Sequence, residues 1–226
     1  MIENCDAVIF DFDGTLYDYR YMPINVILNS PLDIFHIKAE RDARRKLKGV
    51  DFGSAKKFKE AYAAEVAKLS GMSLEKASDW CFSAGPANML AALRKKYKCR
   101  VSAPSVFAKL DEQGVKTAVY SDYAFVEERM AAIGFADGTC KNLFSAEEFG
   151  ALKPCRRPFL EIAAALGVEP ERCLVVGDRS DTDGAGAEQA GMMFVQIVTH
   201  KTKVSDFSSG HPVIVWDDFA ASVLGE

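Results

Sequence analysis

Several aspartates in this chain close apolar runs. In "AVIFDFDGTLYD" (7–18) four apolar residues lead into Asp11 and Asp13. "TAVYSD" (117–122) ends in Ser121 and Asp122, and "CLVVGDRSDTD" (173–183) runs into Asp178, Asp181 and Asp183. An ionised aspartate is rarely buried without a partner, and stripping it of water is costly. Taken singly, each aspartate fits a turn or a helix N-cap. Taken together, three strand ends deliver carboxylates to one place, and a hard divalent cation resolves their repulsion. Mg²⁺ takes oxygen ligands, commonly one or two carboxylates with water and phosphate oxygens. Lys153, in "ALKPCRRPF" (151–159), read alone is a solvated surface lysine. Among these acids it can neutralise a phosphoryl group and the carboxylate attacking it. Ser121 can donate its hydroxyl to a phosphate oxygen, and backbone N–H groups at turns and helix starts can add more.

These residues need strands that end at one edge. The apolar runs at 6–10, 115–120, 142–146, 172–177, 192–198 and 212–216 read as strands. From residue 103 onward they alternate with helical segments, which predicts a mostly parallel sheet with helices on both faces. Ligands of such sheets bind outside the carboxyl ends of the strands. On a regular strand Asp11 and Asp13 face the same way, and Gly14 then permits a sharp turn. Residues 31–98 read as helices instead. One runs from Ser30 and Pro31 to Gly49, a second from about 54 to 69 with Phe58, Tyr62 and Val66 inward. A short third follows Ser73, and a fourth begins near Pro86 and fades in "RKKYK". The pattern is an α/β core of residues 1–19 and 103–226, interrupted by a helical block of residues 20–102.

Composition sets the frame. The chain has 226 residues, 49% hydrophobic and 27% charged, enough to bury a sizeable core. A net charge of −4 gives no footprint for a nucleic-acid partner. No apolar run approaches the roughly 18 residues of a membrane span. The N-terminus, with Glu3 and Asp6, lacks the pattern of a signal peptide. Six scattered cysteines without a CxxC pair read as reduced thiols of a cytoplasmic protein. His36, His200 and His211 show no ligand spacing.

In order along the chain, "DFDGT" (11–15), "VYSDY" (119–123), "LKP" (152–154) and "GDRSDTD" (177–183) resemble the four signature motifs of the haloacid dehalogenase (HAD) superfamily. The helical insertion after the first motif is similar in position to that family's C1 cap. The resemblance implies a Rossmann-like core and Mg²⁺-dependent phosphoryl transfer on a small phosphorylated molecule. Asp11 would be the nucleophile that forms an aspartyl-phosphate, and Asp13 the general acid and then base. Ser121, Asp122 and Lys153 would bind the phosphate. Mg²⁺ would be held by Asp11, Asp13 (through its backbone carbonyl), Asp178 and Asp183, with Asp181 an extra acid outside the pattern. Dehalogenating members lack an acid at the position of Asp13, so the resemblance points to a phosphatase. A phosphomutase of the β-phosphoglucomutase kind, or a non-catalytic protein that binds a phosphorylated ligand on the same fold, are the alternatives.

In the helical block, Lys38, Arg41, Arg45 and Lys48 fall near one helical face, and Arg44 and Lys46 add charge. Basic residues suit a helix C-terminus and a solvated face. The sharper expectation is that one of them grips a second anionic group of the substrate. Tyr17, Tyr19, Tyr21 and Met22 suit a hinge leading into the block. Arg156 and Arg157 suit solvent near the entrance.

Overall fold

Residues 4–199 and 210–226 are described by a computed structural model; His200 lies outside them. Six strands form one parallel sheet: β1 (Ala7–Phe10), β2 (Lys116–Ser121), β3 (Asn142–Ser145), β4 (Cys173–Gly177), β5 (Met193–Val198) and β6 (Val213–Val215). Their order is β3-β2-β1-β4-β5-β6, with β1 at the centre. The sheet is covered on both faces, as parallel sheets must be. On one side Val8, Phe10, Val119 and Val176 pack with Phe107, Trp216 and Phe219 from helices Ala103–Glu112 and Trp216–Leu224. On the other, Ile9, Tyr120 and Val175 pack with Phe159 and Ile162 of helix Arg156–Leu166.

Register decides what meets at the edge. Phe10 pairs with Val119 on β2 and with Val176 on β4, so all three strands run out of pairing at nearly one level. Within three residues of that level lie Asp11, Ser121–Asp122 and Asp178. Asp11 stays tied to the sheet through its N–H, which donates to the Val176 carbonyl at 2.8 Å.

Between β1 and helix Ala103–Glu112 lie helices Met22–Asn29, Ile34–Leu47, Ala55–Ser70, Leu74–Asp79 and Gly85–Lys96. The expected helix from Ser30 to Gly49 is shorter. Helix Met22–Asn29, with Pro23 in its first turn, precedes it, and Ser30 closes that helix, its hydroxyl donating to Asp33. The last predicted strand also ends early. Trp216 starts helix Trp216–Leu224 because Val215 is extended and no breaker separates the two elements. Where the chain leaves and re-enters the core, Tyr17 and Cys99 form an antiparallel bridge. Arg100 donates to the carbonyls of Thr15 (2.8 Å) and Gly14 (3.1 Å), which fixes the turn after Asp13.

The helical block also touches the core through loops. The Gly49 N–H donates to the Lys153 carbonyl (3.1 Å) and the Phe52 N–H to the Gly150 carbonyl (2.9 Å). Gly150 has φ +69°, and a Cβ there would lie 2.1 Å from the Ser54 backbone. Only glycine allows this approach. Arg157, expected in solvent, pairs instead with Asp51 through two 2.8 Å bonds across the same seam.

Candidate active site

Lys153 organises the carboxyl edge of the sheet. Its side chain is 2% exposed, and its ammonium donates at 2.8 Å to Asp11 Oδ1, to Asp183 Oδ1 and to the Tyr120 carbonyl. All three of its protons are used. Burial disfavours the charged amine, but Asp11, Asp183 and Asp122 outweigh it and hold the Lys153 pKa well above its usual range. The other Asp11 oxygen accepts from Thr15 Oγ1 at 3.0 Å.

The acids around this ammonium outnumber it. Asp11, Asp178 and Asp183 each offer a carboxylate oxygen within 4.8 Å of the others. Burial, opposed by Lys153, pushes Asp11 well above the ordinary carboxylate range. Burial, then repulsion from Asp183 and Asp13, pushes Asp178 up to about 7. Asp11 and Asp183 share one ammonium and Asp178 crowds against them, so the three acids are short of positive charge in a way that a divalent ion would meet. An all-oxygen donor set suits a hard cation. The chain is shaped for the crowding: Gly14 has φ +86°, and a Cβ there would sit 2.2 Å from Asp178 Oδ2. Asp183 is drawn in by the π-helical turn Ser180–Gly184. The Gln196 side chain donates to the Asp178 carbonyl at 3.1 Å and fixes that loop from β5.

The other candidates divide. Asp13 lines the cleft, but its carboxylate stands apart from this triad. It accepts from Arg129 Nη2 at 2.6 Å and from the Tyr17 hydroxyl at 2.5 Å. Ser121 is fully buried. Its hydroxyl accepts from Arg129 Nη1 (2.7 Å) and contacts Asp13 Oδ2 (3.4 Å), so the structure does not bring it to the open cleft. Asp122 lines the cleft, and its carboxylate accepts from the Lys153 N–H at 3.0 Å, which anchors the lysine loop. Asp181 pairs with Arg179 and Lys48 outside the triad, and Arg179 holds its carboxyl down at about 2.

Above this floor lies a cavity of about 380 Å³, roofed by Arg41, Arg44, Arg45 and Lys48 of helix Ile34–Leu47 and its end. Arg44 is spent on structure. It pairs with Glu147, donates to the Asp122 carbonyl at 3.0 Å and lies 3.9 Å over the Tyr123 ring. Lys48 pairs with Asp181, and Arg45 with Asp42 on its own helix. Arg41 makes no ion pair among the described residues.

Sequence reasoning missed Arg129. It sits in helix Val126–Ala132, where Val126 and Met130 are buried, so helical period places it on the inward stripe. That position, rather than its charge, was the available signal.

A parallel α/β sheet whose carboxyl edge gathers aspartates around one buried lysine defines an enzyme of the HAD type. The sequence model of the haloacid dehalogenase-like hydrolases matches residues 5–191, and the chain belongs to that family. It is 50% identical over 52 residues to a glyceraldehyde 3-phosphate phosphatase of Methanopyrus kandleri, a match spanning 23% of this chain and 22% of that relative. Its fold is similar to a HAD phosphatase from Thermococcus onnurineus (TM-score 0.61, 19% identity, 97% of this chain and 98% of that one). It is equally similar to a 2-haloacid dehalogenase from Pseudomonas syringae pv. Tomato (TM-score 0.61, 15% identity, 98% of each). Among the described residues no helix is long and apolar enough to cross a membrane.

Proposed function

We propose that the chain is a Mg²⁺-dependent phosphatase of small organic phosphate monoesters, working through an aspartyl-phosphate on Asp11. The observation that carries this reading is the placement of Asp11. It lies at the cleft floor with one oxygen on Lys153 and the other on Thr15, and a second acid, Asp13, two residues on in the same cleft. An Asp11 oxygen attacks phosphorus, and the ester P–O bond breaks. Asp13 gives its proton to the departing alkoxide, then takes one from the water that attacks the acyl phosphate. Inorganic phosphate leaves and Asp11 is restored. Lys153 faces the charge that develops during transfer, where positioning and electrostatics supply most of the effect. Asp11, Asp178 and Asp183, with the Asp13 backbone carbonyl, would hold the ion. Bound Mg²⁺ would neutralise the phosphoryl oxygens.

The roof narrows the substrate. Among the described residues Arg41 is the cleft-lining cation without an ion pair, which favours a phosphate ester carrying a second anionic group. The test is a panel of phosphate esters with and without Mg²⁺, beside Asp11→Asn. Hydrolysis that needs Mg²⁺ and is lost in the variant supports the reading. No hydrolysis of any ester, or full activity in Asp11→Asn, overturns it.

A further inference from the structure

The best-buried cation besides Lys153 among the cleft's immediate neighbours is Arg129, 1% exposed. It approaches Asp13 from the protein interior and does not line the cleft itself. Its Nη2 reaches both Asp13 oxygens, at 2.6 and 2.5 Å. Its Nη1 reaches Ser121 Oγ at 2.7 Å and the Tyr123 carbonyl at 3.4 Å, and its plane lies 4.4 Å from the Phe12 ring. Asp13 is its only ion-pair partner among the described residues. The Tyr17 hydroxyl completes the cradle from the hinge side.

A buried ion pair is a poor stability device, since well-packed apolar residues often serve as well or better. The network therefore calls for another purpose. We propose that Arg129 is a positioning residue: it sets the Asp13 carboxyl against the cleft wall and ties it to Ser121, so that Asp13 can meet the leaving group. Four observations agree with this. Arg129 holds both Asp13 oxygens, so the carboxyl cannot rotate freely. Tyr17 adds a second donor to one of them. The Ser121 hydroxyl is committed to the same network. Asp13 nonetheless keeps its cleft-facing side, with 19% of its side chain exposed.

The inference rests on the phosphatase reading, and the experiment separates the two. Wild type, Arg129→Met, Arg129→Lys and Tyr17→Phe are compared with Mg²⁺ on glycerol phosphate, whose alkoxide needs a proton to leave, and on p-nitrophenyl phosphate, whose phenolate does not. Positioning of Asp13 as general acid predicts that Arg129→Met loses about a hundredfold in kcat/KM on the alkyl ester, since kcat/KM reports the step up to phosphoenzyme formation. It predicts only a few-fold loss in kcat/KM on the aryl ester, while kcat falls on both because Asp13 also serves the common dephosphorylation. Arg129→Lys should restore part of the alkyl rate, and Tyr17→Phe should show the same selectivity at smaller size. If Arg129→Met does not fold, the selective loss must appear in the other two variants. Equal losses in kcat/KM on both esters, or no loss, overturn the inference. If wild type cleaves neither ester, the phosphatase reading itself fails and the inference falls with it.

Discussion

Asp11 and Asp13 are two residues apart, yet their surroundings are opposite. Asp13 is closed off internally by its own guanidinium, a tyrosine hydroxyl and Ser121. Asp11 shares one ammonium with Asp183, Asp178 crowds against both, and the three acids are short of positive charge. One corner receives its cation from within the chain. The other is short of positive charge, which on the proposed function an ion would supply beside the site's own lysine. The contrast separates a group whose position matters from a group whose charge must be met from outside.

The strongest way to break this contrast is Asp11→Asn. The amide keeps the shape and can still accept from Thr15, but it is no nucleophile. Turnover in a steady-state ester assay should fall by about 10⁴-fold or more. The same change removes one of three crowded charges, so the metal-free protein should melt no lower than wild type. A variant that stays active, or melts well below wild type, would mean that Asp11 is structural.

Next in size is Lys153→Met. The thioether is close in length to the lysine stem but leaves Asp11 and Asp183 without their shared cation. Removing one partner of a buried pair costs about 3–5 kcal/mol. Urea unfolding without metal should show that loss, and adding Asp183→Asn should recover part of it, because the two sites couple. Loss of activity without loss of stability would show that the three acids do not depend on Lys153.

pH sharpens the contrast further. The Asp178 pKa is about 7 in the folded chain, raised by burial and by repulsion from Asp183, against about 3.9 unfolded. The folded state therefore holds a proton that the unfolded state has released. Stability from this group is complete below the unfolded value and is lost as pH climbs through about 7. Asp11, also raised by burial, acts in the same direction. In EDTA the thermal midpoint should fall by a few degrees between pH 5 and pH 8, at about 2–4 °C for each kcal/mol in a chain of this size. Mg²⁺ should reverse the fall, with a larger stabilisation at pH 8, where its ligands are ionised. Calorimetry that gives a flat profile in EDTA would remove the charge shortage from the acid corner.

The acid corner was far more legible in the sequence than the Asp13 corner. Asp11 and Asp178 follow strand ends, Asp183 lies one turn beyond and Lys153 sits in a loop, and parallel strands buried on both faces announce themselves as apolar runs. All six strands were visible for that reason. Ser121 was legible as the end of β2, but not as a group turned inward, because that depends on Arg129. Arg129 lies in "VEERMAA", whose charges look like a solvated face. Its partner is 116 residues away, and no local pattern encodes such a pairing. Helix Met22–Asn29 escaped because its apolar residues do not mark one buried face. Ile24 and Leu28 are 53% and 68% exposed, and only Met22 is buried.

The smallest expected effect concerns the roof, where the same contrast recurs between Arg44 and Arg41. Arg44 is held within the fold by Glu147 and Tyr123, while Arg41 lines the cavity without an ion pair among the described residues. If Arg41 meets a second anionic group, it does so as a partly solvated charge, a contact worth about 1 kcal/mol at most. Arg41→Ala should therefore raise KM about fivefold for an ester that also carries a carboxylate or second phosphate, leave kcat in place, and barely change KM for an ester with a neutral remainder. The difference should shrink as salt rises, since an exposed pair is screened. Arg44→Ala should behave otherwise, lowering stability through the unpaired Glu147 whatever the ester. A KM effect of Arg41→Ala that is the same for both esters and indifferent to salt would make Arg41 part of the solvated face and leave the second anion without a partner.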